Sequence, residues 1–366
     1  MRPPVAGVAH RPLLVRWGLP RDPRATELVI AFALATVATV VLTRAFLELT
    51  GYPTVGGSAL HVAHVLWGGL AMALAVVLAL SFAGPAARPI VAIVGGVGFG
   101  LFIDEVGKFL THDNDYFFAP APMLMYATLV LLVMGADALH AKRGMHRSEL
   151  LAAAADYAVA GIAGGLSPQR RAEAHELLER AGAAHGHREV SALLEVIAHD
   201  ERDAPDPVAA VRNQLRSFFA LVVRQKWTWP AILALSGVLF VVSITSITVA
   251  VRDASHVRWA VAATIASLVL VAACWLRAWT LRGQRIDALD WLRRGVHLNL
   301  LLTQIAVFRL HAWWGTVGLL VALVLLGIIG AERVRDHHAA GVALDDGHAG
   351  PDADLEPEPE SSPGSV

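Results

Sequence analysis

The chain has 366 residues, of which 55% are hydrophobic and only 17% are charged. Soluble domains carry about a quarter charged residues, so this composition excludes an ordinary soluble enzyme and predicts a membrane protein. The formal net charge is −1, and the single cysteine excludes a disulfide framework or a cysteine metal site within one chain.

Eight apolar stretches are long enough to cross a hydrocarbon core, which takes about 20 helical residues. They lie at 27–48, 59–82, 89–110, 121–139, 229–251, 257–279, 291–309 and 312–331. The seventh contains His297, Asn299, Gln304 and Arg309, so a re-entrant or interfacial helix is the alternative for 291–309. The predicted fold is an all-α, polytopic transmembrane bundle of about eight spans with a helical cytoplasmic insert.

The placement of arginine predicts the orientation, because cytoplasmic segments of membrane proteins are rich in basic residues. With eight spans, every arginine-rich segment falls on one side of the membrane. The loop after the third span is acidic and contains Asp113 and Asp115. We therefore expect an inner (plasma) membrane protein with cytoplasmic N- and C-termini.

The chain divides into five predicted segments. They are a basic cytoplasmic arm at 1–26, spans one to four at 27–139, a helical insert at 140–228, spans five to eight at 229–331, and an acidic disordered tail at 332–366.

The insert is predicted to contain short helices near 148–162, 168–182 and 188–200, followed by an amphipathic helix around 208–222. That last helix either lies on the membrane surface or packs on its neighbours. Acidic and basic residues alternate in the insert, so we expect no nucleic-acid partner; the expected partner is the lipid bilayer, and a small-molecule or protein partner is left open.

The most informative polar residues lie in spans two and three. His61 and His64 open span two, and Asp104 and Glu105 lie near the end of span three. Because consecutive spans are antiparallel, these residues fall at one depth, roughly 8–9 Å below the predicted outer face. A charge within lipid costs about 2.5–3.5 kcal/mol, so such a cluster predicts a functional site.

A divalent metal site is one interpretation of this cluster. Two imidazoles with one or two carboxylates suit zinc, or iron with open coordination positions. The predicted ligands are His61, His64, Asp104 and Glu105.

Two other interpretations stay open. One is a network of buried ion pairs, namely Asp104 with Lys108, His64 with Glu105 and Arg44 with Glu48. The other is a proton relay or solute pocket, since histidine can change its charge near neutral pH. The acidic loop with Asp113 and Asp115 would border the site and either bind a cation or be solvated.

Small residues recur three or four residues apart, on one helix face, in both spans. Gly68, Ala71 and Ala75 form such a stripe in span two, and Gly96 and Gly100 form one in span three. Small residues at this spacing let helices approach closely in lipid. We expect the two stripes to pack against each other.

Three motifs suggest a family. They are His-x-x-His-x-x-Trp-Gly at 61–68, Gly-Phe-Gly-Leu-Phe-Ile-Asp-Glu-Val-Gly-Lys-Phe at 98–109 and Asp-Asn-Asp-Tyr-Phe-Phe at 113–118. Together they resemble an uncharacterised family of bacterial multi-pass inner-membrane proteins with no assigned activity. The resemblance is densest over 27–139. It implies an inner-membrane protein with a cytoplasmic insert and carries over no catalytic residue.

The function predicted from the sequence is that of a multi-pass membrane protein with a buried polar site near its outer face. A metal site is one interpretation of these polar residues. One alternative is a transporter or proton-coupled carrier. Another is a regulatory or scaffold protein that acts through its cytoplasmic insert. The sequence leaves open whether the protein is an enzyme.

Overall fold

The structure is a computed structural model that describes residues 13–50, 64–110, 118, 120–140, 145–199, 206–223, 228–252 and 258–346. These residues form helices and no β-strand, which confirms the all-α class. The chain divides into two compact units, Met1–Leu215 and Arg216–Val366, and each is described by itself.

The described part of the first unit starts with a single helical turn and then contains the first long apolar helices. Its helices are α1 (Leu13–Arg16), α2 (Ala25–Thr50), α3 (His64–Ser81), α4 (Arg88–Asp104), α5 (Val106–Leu110), α6 (Ala121–His140), α7 (Arg147–Gly164), α8 (Pro168–Ala181), α9 (His187–Val196) and the start of α10 (Pro207–Val223).

The second unit contains four long helical segments, one of which is interrupted by a π-helical turn. They are α11 (Thr228–Arg252), α12 (Arg258–Thr280), α13 (Arg285–Leu298) with the π-helical turn Asn299–Thr303 and α14 (Gln304–Leu310), and α15 (Ala312–Asp346).

Six described helices are long and apolar enough to cross a membrane. They are Ala25–Thr50, His64–Ser81, Arg88–Lys108, Thr228–Arg252, Arg258–Thr280 and Ala312–Glu332, and they match predicted spans one, two, three, five, six and eight. For span four, the described apolar part Ala121–Ala136 is shorter. Span seven corresponds to α13, the π-helical turn and α14, where Asn299 and Gln304 are buried. A multi-pass helical membrane protein is therefore supported, and the count of eight spans is not confirmed.

Glycines on two faces of α4 set the packing of the first bundle. A Cβ added to Gly98 would lie 2.7 Å from the backbone nitrogen of Met72 in α3. A Cβ added to Gly96 would lie 2.5 Å from the carbonyl oxygen of Phe32 in α2. Neither position has room for a side chain, so glycine at these two positions allows the backbones of α2 and α3 to approach α4 closely.

The predicted pairing of the two small-residue stripes is wrong. Gly96 and Gly100 face α2, where the hydroxyl of Thr36 also donates to the carbonyl of Gly96 at 3.1 Å. Helix α3 packs instead on Gly95 and Gly98. The physical reason is that α4 carries small residues on two of its faces. The spacing of these residues along the sequence does not show which neighbouring helix packs against each face.

Helices α7, α8 and α9 fall close to the three short helices predicted for the insert, and they enclose an apolar core of their own. The core includes Leu150, Ala154, Tyr157, Leu177 and Leu194. The hydroxyl of Ser167 caps α8 by accepting from the backbone N–H of Arg170 at 3.3 Å.

In α10, the apolar side chains of Val211, Leu215 and Phe218 are exposed. Its placement on a membrane surface stays a prediction.

Helix α15 continues to Asp346, well beyond residue 332, where the sequence predicts a disordered tail to begin. The segment after Glu332 is rich in alanine and has no proline before Pro351, and extending an existing helix costs much less than starting one. The predicted disorder is therefore wrong for 332–346, and 347–366 lie outside the described residues.

Glu149 joins the start of the insert to the N-terminal arm. Its carboxylate is 1% exposed and accepts from Arg21 Nε and Nη2, both at 2.8 Å, and from the backbone N–H of His146 at 2.7 Å. The Arg21 hydrogen bond, helped by backbone N–H groups and opposed by burial, lowers the pKa of Glu149 to about 2.

We predict that Gly68→Ala destabilises the first bundle by about 1–3 kcal/mol, because its Cβ would meet the backbone of Phe102 at 2.6 Å. The measurement is the free energy of unfolding in mixed micelles. Gly69→Ala is the matched control, since no atom lies within 4 Å of its added Cβ. Equal stability of the two variants would contradict the packing.

We predict that the stabilisation from Glu149 depends on pH. A folded-state pKa lowered to about 2 stabilises the protein above about pH 4.5, and this contribution is lost as the pH falls from about 5 to 2. Glu149→Gln should therefore lower the free energy of opening of α7 by about 3 kcal/mol at pH 6, and by less at pH 3. Hydrogen exchange of α7 measures it.

The control is Glu176→Gln, because the Glu176 side chain is 69% exposed. The prediction is contradicted if the free energy of opening of α7 differs between wild type and Glu149→Gln by the same amount at pH 6 and at pH 3.

Candidate functional site

The candidate site lies where α4 ends. Asp104 follows Gly100 by four residues and so continues the face that meets α2. Glu105 is the next residue and lies in the turn after α4. Its side chain therefore points in a different direction from that of Asp104 and faces the start of α3. Two adjacent acids are thereby directed to two different helices.

Asp104 pairs with Arg44 of α2. Arg44 Nε donates to Asp104 Oδ1 at 2.6 Å, and the Asp104 side chain is fully buried while that of Arg44 is 26% exposed. A buried carboxylate needs such a partner because an ionised group without one is very costly in an apolar interior.

Glu105 binds the N-terminus of α3. Its Oε1 accepts from the backbone N–H of His64 at 2.7 Å and contacts His64 Nδ1 at 2.9 Å and Lys108 Nζ at 3.5 Å. A carboxylate is favoured there because the first N–H groups of a helix have no partner within the helix. For the ring to donate to this acceptor oxygen, Nδ1 must carry a proton.

The two partners differ in their access to solvent. The Glu105 side chain is 1% exposed and that of His64 is 37% exposed. The second carboxylate oxygen of Glu105, Oε2, is buried and has no hydrogen-bond partner among the described residues. A partly exposed imidazole is thus bonded to a buried acid that keeps one free oxygen within this part of the chain.

The structure brings five of the predicted site residues together, namely Arg44, His64, Asp104, Glu105 and Lys108. The predicted His64–Glu105 pair is present. Arg44, for which the sequence analysis proposed Glu48, binds Asp104, and Glu48 is exposed. His61, Asp113 and Asp115 lie outside the described residues.

Within the described ranges, no group of three or more histidine, cysteine, aspartate or glutamate side chains could hold a metal ion. Of the four predicted ligands, His64 and Glu105 are in direct contact, and Asp104 is held by Arg44. The predicted zinc or iron site stays a prediction because His61 is not among those residues.

The sequence analysis did not identify two further sets of buried polar contacts. The first is Arg21 with Glu149, for which the sequence His-x-x-Glu before an apolar helix was an available capping signal. The second joins α12 to the π-helical turn, where the Thr303 hydroxyl donates to Ser267 Oγ at 2.9 Å. No sequence pattern pointed to that contact.

Comparison with known proteins gives no relative for this chain: no protein-family model, no curated protein and no solved structure matches it.

We predict that Arg44→Gln destabilises the protein by about 3–5 kcal/mol, because it leaves Asp104 charged and buried. The double variant Arg44→Gln/Asp104→Asn should recover much of that loss, since it removes both charges. Unfolding in mixed micelles measures both. Arg180→Gln is the control, because the Arg180–Glu176 pair is exposed and worth less than about 1 kcal/mol.

Proposed function

We propose that this protein is a membrane carrier that moves protons, and that His64 and Glu105 are the pair that exchanges the proton. The observation that carries the proposal is the 2.9 Å contact between a partly exposed imidazole and a carboxylate that is 1% exposed. Ionisable groups buried in membrane helices commonly mark proton or ion pathways.

The surrounding charges support this assignment. Lys108 lies 3.5 Å from Glu105 Oε1, so the ionised carboxylate is stabilised before it takes up a proton. Arg44 holds Asp104 separately at 2.6 Å. The proposed proton transfer changes the charge of His64 and Glu105 beside the positive charge of Lys108.

The proton step needs no other reactant. His64 takes up a proton from the aqueous side, and its Nδ1–H bond then breaks as an O–H bond forms at Glu105. The imidazole returns to its neutral form, and Glu105 becomes neutral and loses its attraction to Lys108. Loss of that ion pair would loosen the turn between α4 and α5, which Glu105 and Lys108 hold together, and would thereby couple proton uptake to a local movement.

The proposed topology has eight spans, with the apolar helix α6 and the segment 285–310 added to the six long apolar helices. The arginine distribution then supports cytoplasmic termini in an inner (plasma) membrane and a site near the outer face. The resemblance to uncharacterised bacterial inner-membrane proteins supports the same placement.

A metal site is the second candidate function. The observation that favours it is Glu105 Oε2, which is buried without a described hydrogen-bond partner beside the imidazole of His64. Zinc or iron bound there would take His64 and Glu105 as ligands together with His61. The nearby Lys108 opposes it, because a cation 3.5 Å from Glu105 competes with a metal for the carboxylate.

We predict that the purified protein in proteoliposomes conducts protons when a membrane potential is imposed, as reported by a trapped pH-sensitive dye. Glu105→Gln and His64→Ala should each reduce the flux about 100-fold or more, because each removes one proton-exchanging group. Added imidazole should partly restore the flux of His64→Ala and leave Glu105→Gln inactive.

His175→Ala and Glu176→Gln in the insert are the matched controls and should conduct like wild type. Wild-type flux no greater than that of empty liposomes overturns the proposal. Stoichiometric zinc in the purified wild type that is absent from His64→Ala would instead establish the metal site.

A further inference from the structure

The end of α12 and the helix α13 each carry one arginine–tryptophan stack. The guanidinium carbon of Arg282 lies 5.0 Å from the centre of the Trp279 ring, and that of Arg294 lies 4.8 Å from the centre of Trp291. Both distances are within the range of about 6 Å for a cation–π interaction.

The two tryptophans of these stacks lie at about the same level of the hairpin formed by α12 and α13. A Cβ added to Gly295 would lie 2.6 Å from Trp275 Nε1, so these two residues are opposite each other. Trp279 and Trp291 are each four residues nearer the turn, which is about one helical turn. We call these two stacks the arginine–tryptophan patch, comprising Trp279, Arg282, Trp291 and Arg294.

The patch is strongly basic. Five arginines and only two aspartates, Asp287 and Asp290, lie between residues 277 and 294. Arg285 forms an ion pair with the buried Glu332 of α15. Both arginines of the patch, Arg282 and Arg294, are exposed, and neither forms an ion pair with an acid in the described parts of the chain.

The chemistry of the patch fits a phosphate diester. An arginine stacked flat on a ring keeps the N–H groups at its edge available, and this planar edge matches two phosphate oxygens. Tryptophan side chains favour the headgroup level of a membrane. Leu276, 68% exposed, lies on the same helix toward the apolar segment, where acyl chains would run.

We propose that the arginine–tryptophan patch is a binding site for the phosphate group of an anionic phospholipid. The site goes beyond the proposed carrier activity and does not depend on it. With the proposed orientation the patch faces the inner leaflet, which is the leaflet whose anionic lipids attract basic segments. The adjoining apolar surface distinguishes a lipid from free phosphate.

The test measures lipid bound to the full-length protein by native mass spectrometry, with phosphatidylglycerol or phosphatidylcholine of identical acyl chains added to the detergent. We expect wild type to prefer phosphatidylglycerol. Arg282→Gln/Arg294→Gln should weaken phosphatidylglycerol binding about tenfold or more and leave phosphatidylcholine binding unchanged. Arg258→Gln, at the opposite end of α12, is the matched control and should bind like wild type.

Arg282→Lys/Arg294→Lys keeps the charge but loses the planar edge, so it should bind more weakly than wild type even if the glutamine variant fails to fold. Equal binding of the two lipids by wild type, or wild-type affinity in the lysine variant, overturns the proposal. Complete displacement of phosphatidylglycerol by millimolar inorganic phosphate would show a phosphate site and also overturn it. Proton flux measured alongside separates this result from the carrier proposal.

Discussion

The pairing of two adjacent buried acids is the constraint on which the first bundle depends. Asp104 and Glu105 are nearly inaccessible to solvent, and an ionised carboxylate in that setting must meet a positive or N–H partner. Neighbouring residues at a helix end point about 100° apart, so a single adjacent helix cannot serve both acids. Helix α2 therefore supplies Arg44, and the start of α3 supplies His64.

The same electrostatic requirement acts in both units. Buried acids are held by specific bases, as Glu149 is by Arg21 in the first unit and Glu332 is by Arg285 in the second. Near the end of α12, by contrast, the arginines outnumber the acids, and two arginines stack on tryptophan rings. Paired charges stabilise the fold, whereas exposed arginines without an acid partner attract an external anion.

Much of the architecture could be predicted from the sequence. The lengths of the apolar stretches predicted six helices that are long and apolar enough in the structure to span a membrane. The positions of proline helped to predict the helices of the insert. The contact of His64 with Glu105 was one of the predicted pairs. The face of α4 that meets α3 was predicted wrongly, because Gly96 and Gly98 are equally small and differ only in direction.

The sequence by itself determined that this is a helical multi-pass membrane protein with polar groups concentrated at one end of spans two and three, because hydrophobic length and helical periodicity are local properties of the chain. Only the tertiary structure decided which base each acid receives. That choice depends on how closely backbones approach at Gly96 and Gly98, and therefore on side-chain volumes from three helices at once. Pairing partners distant in the chain are fixed by packing, which periodicity does not encode.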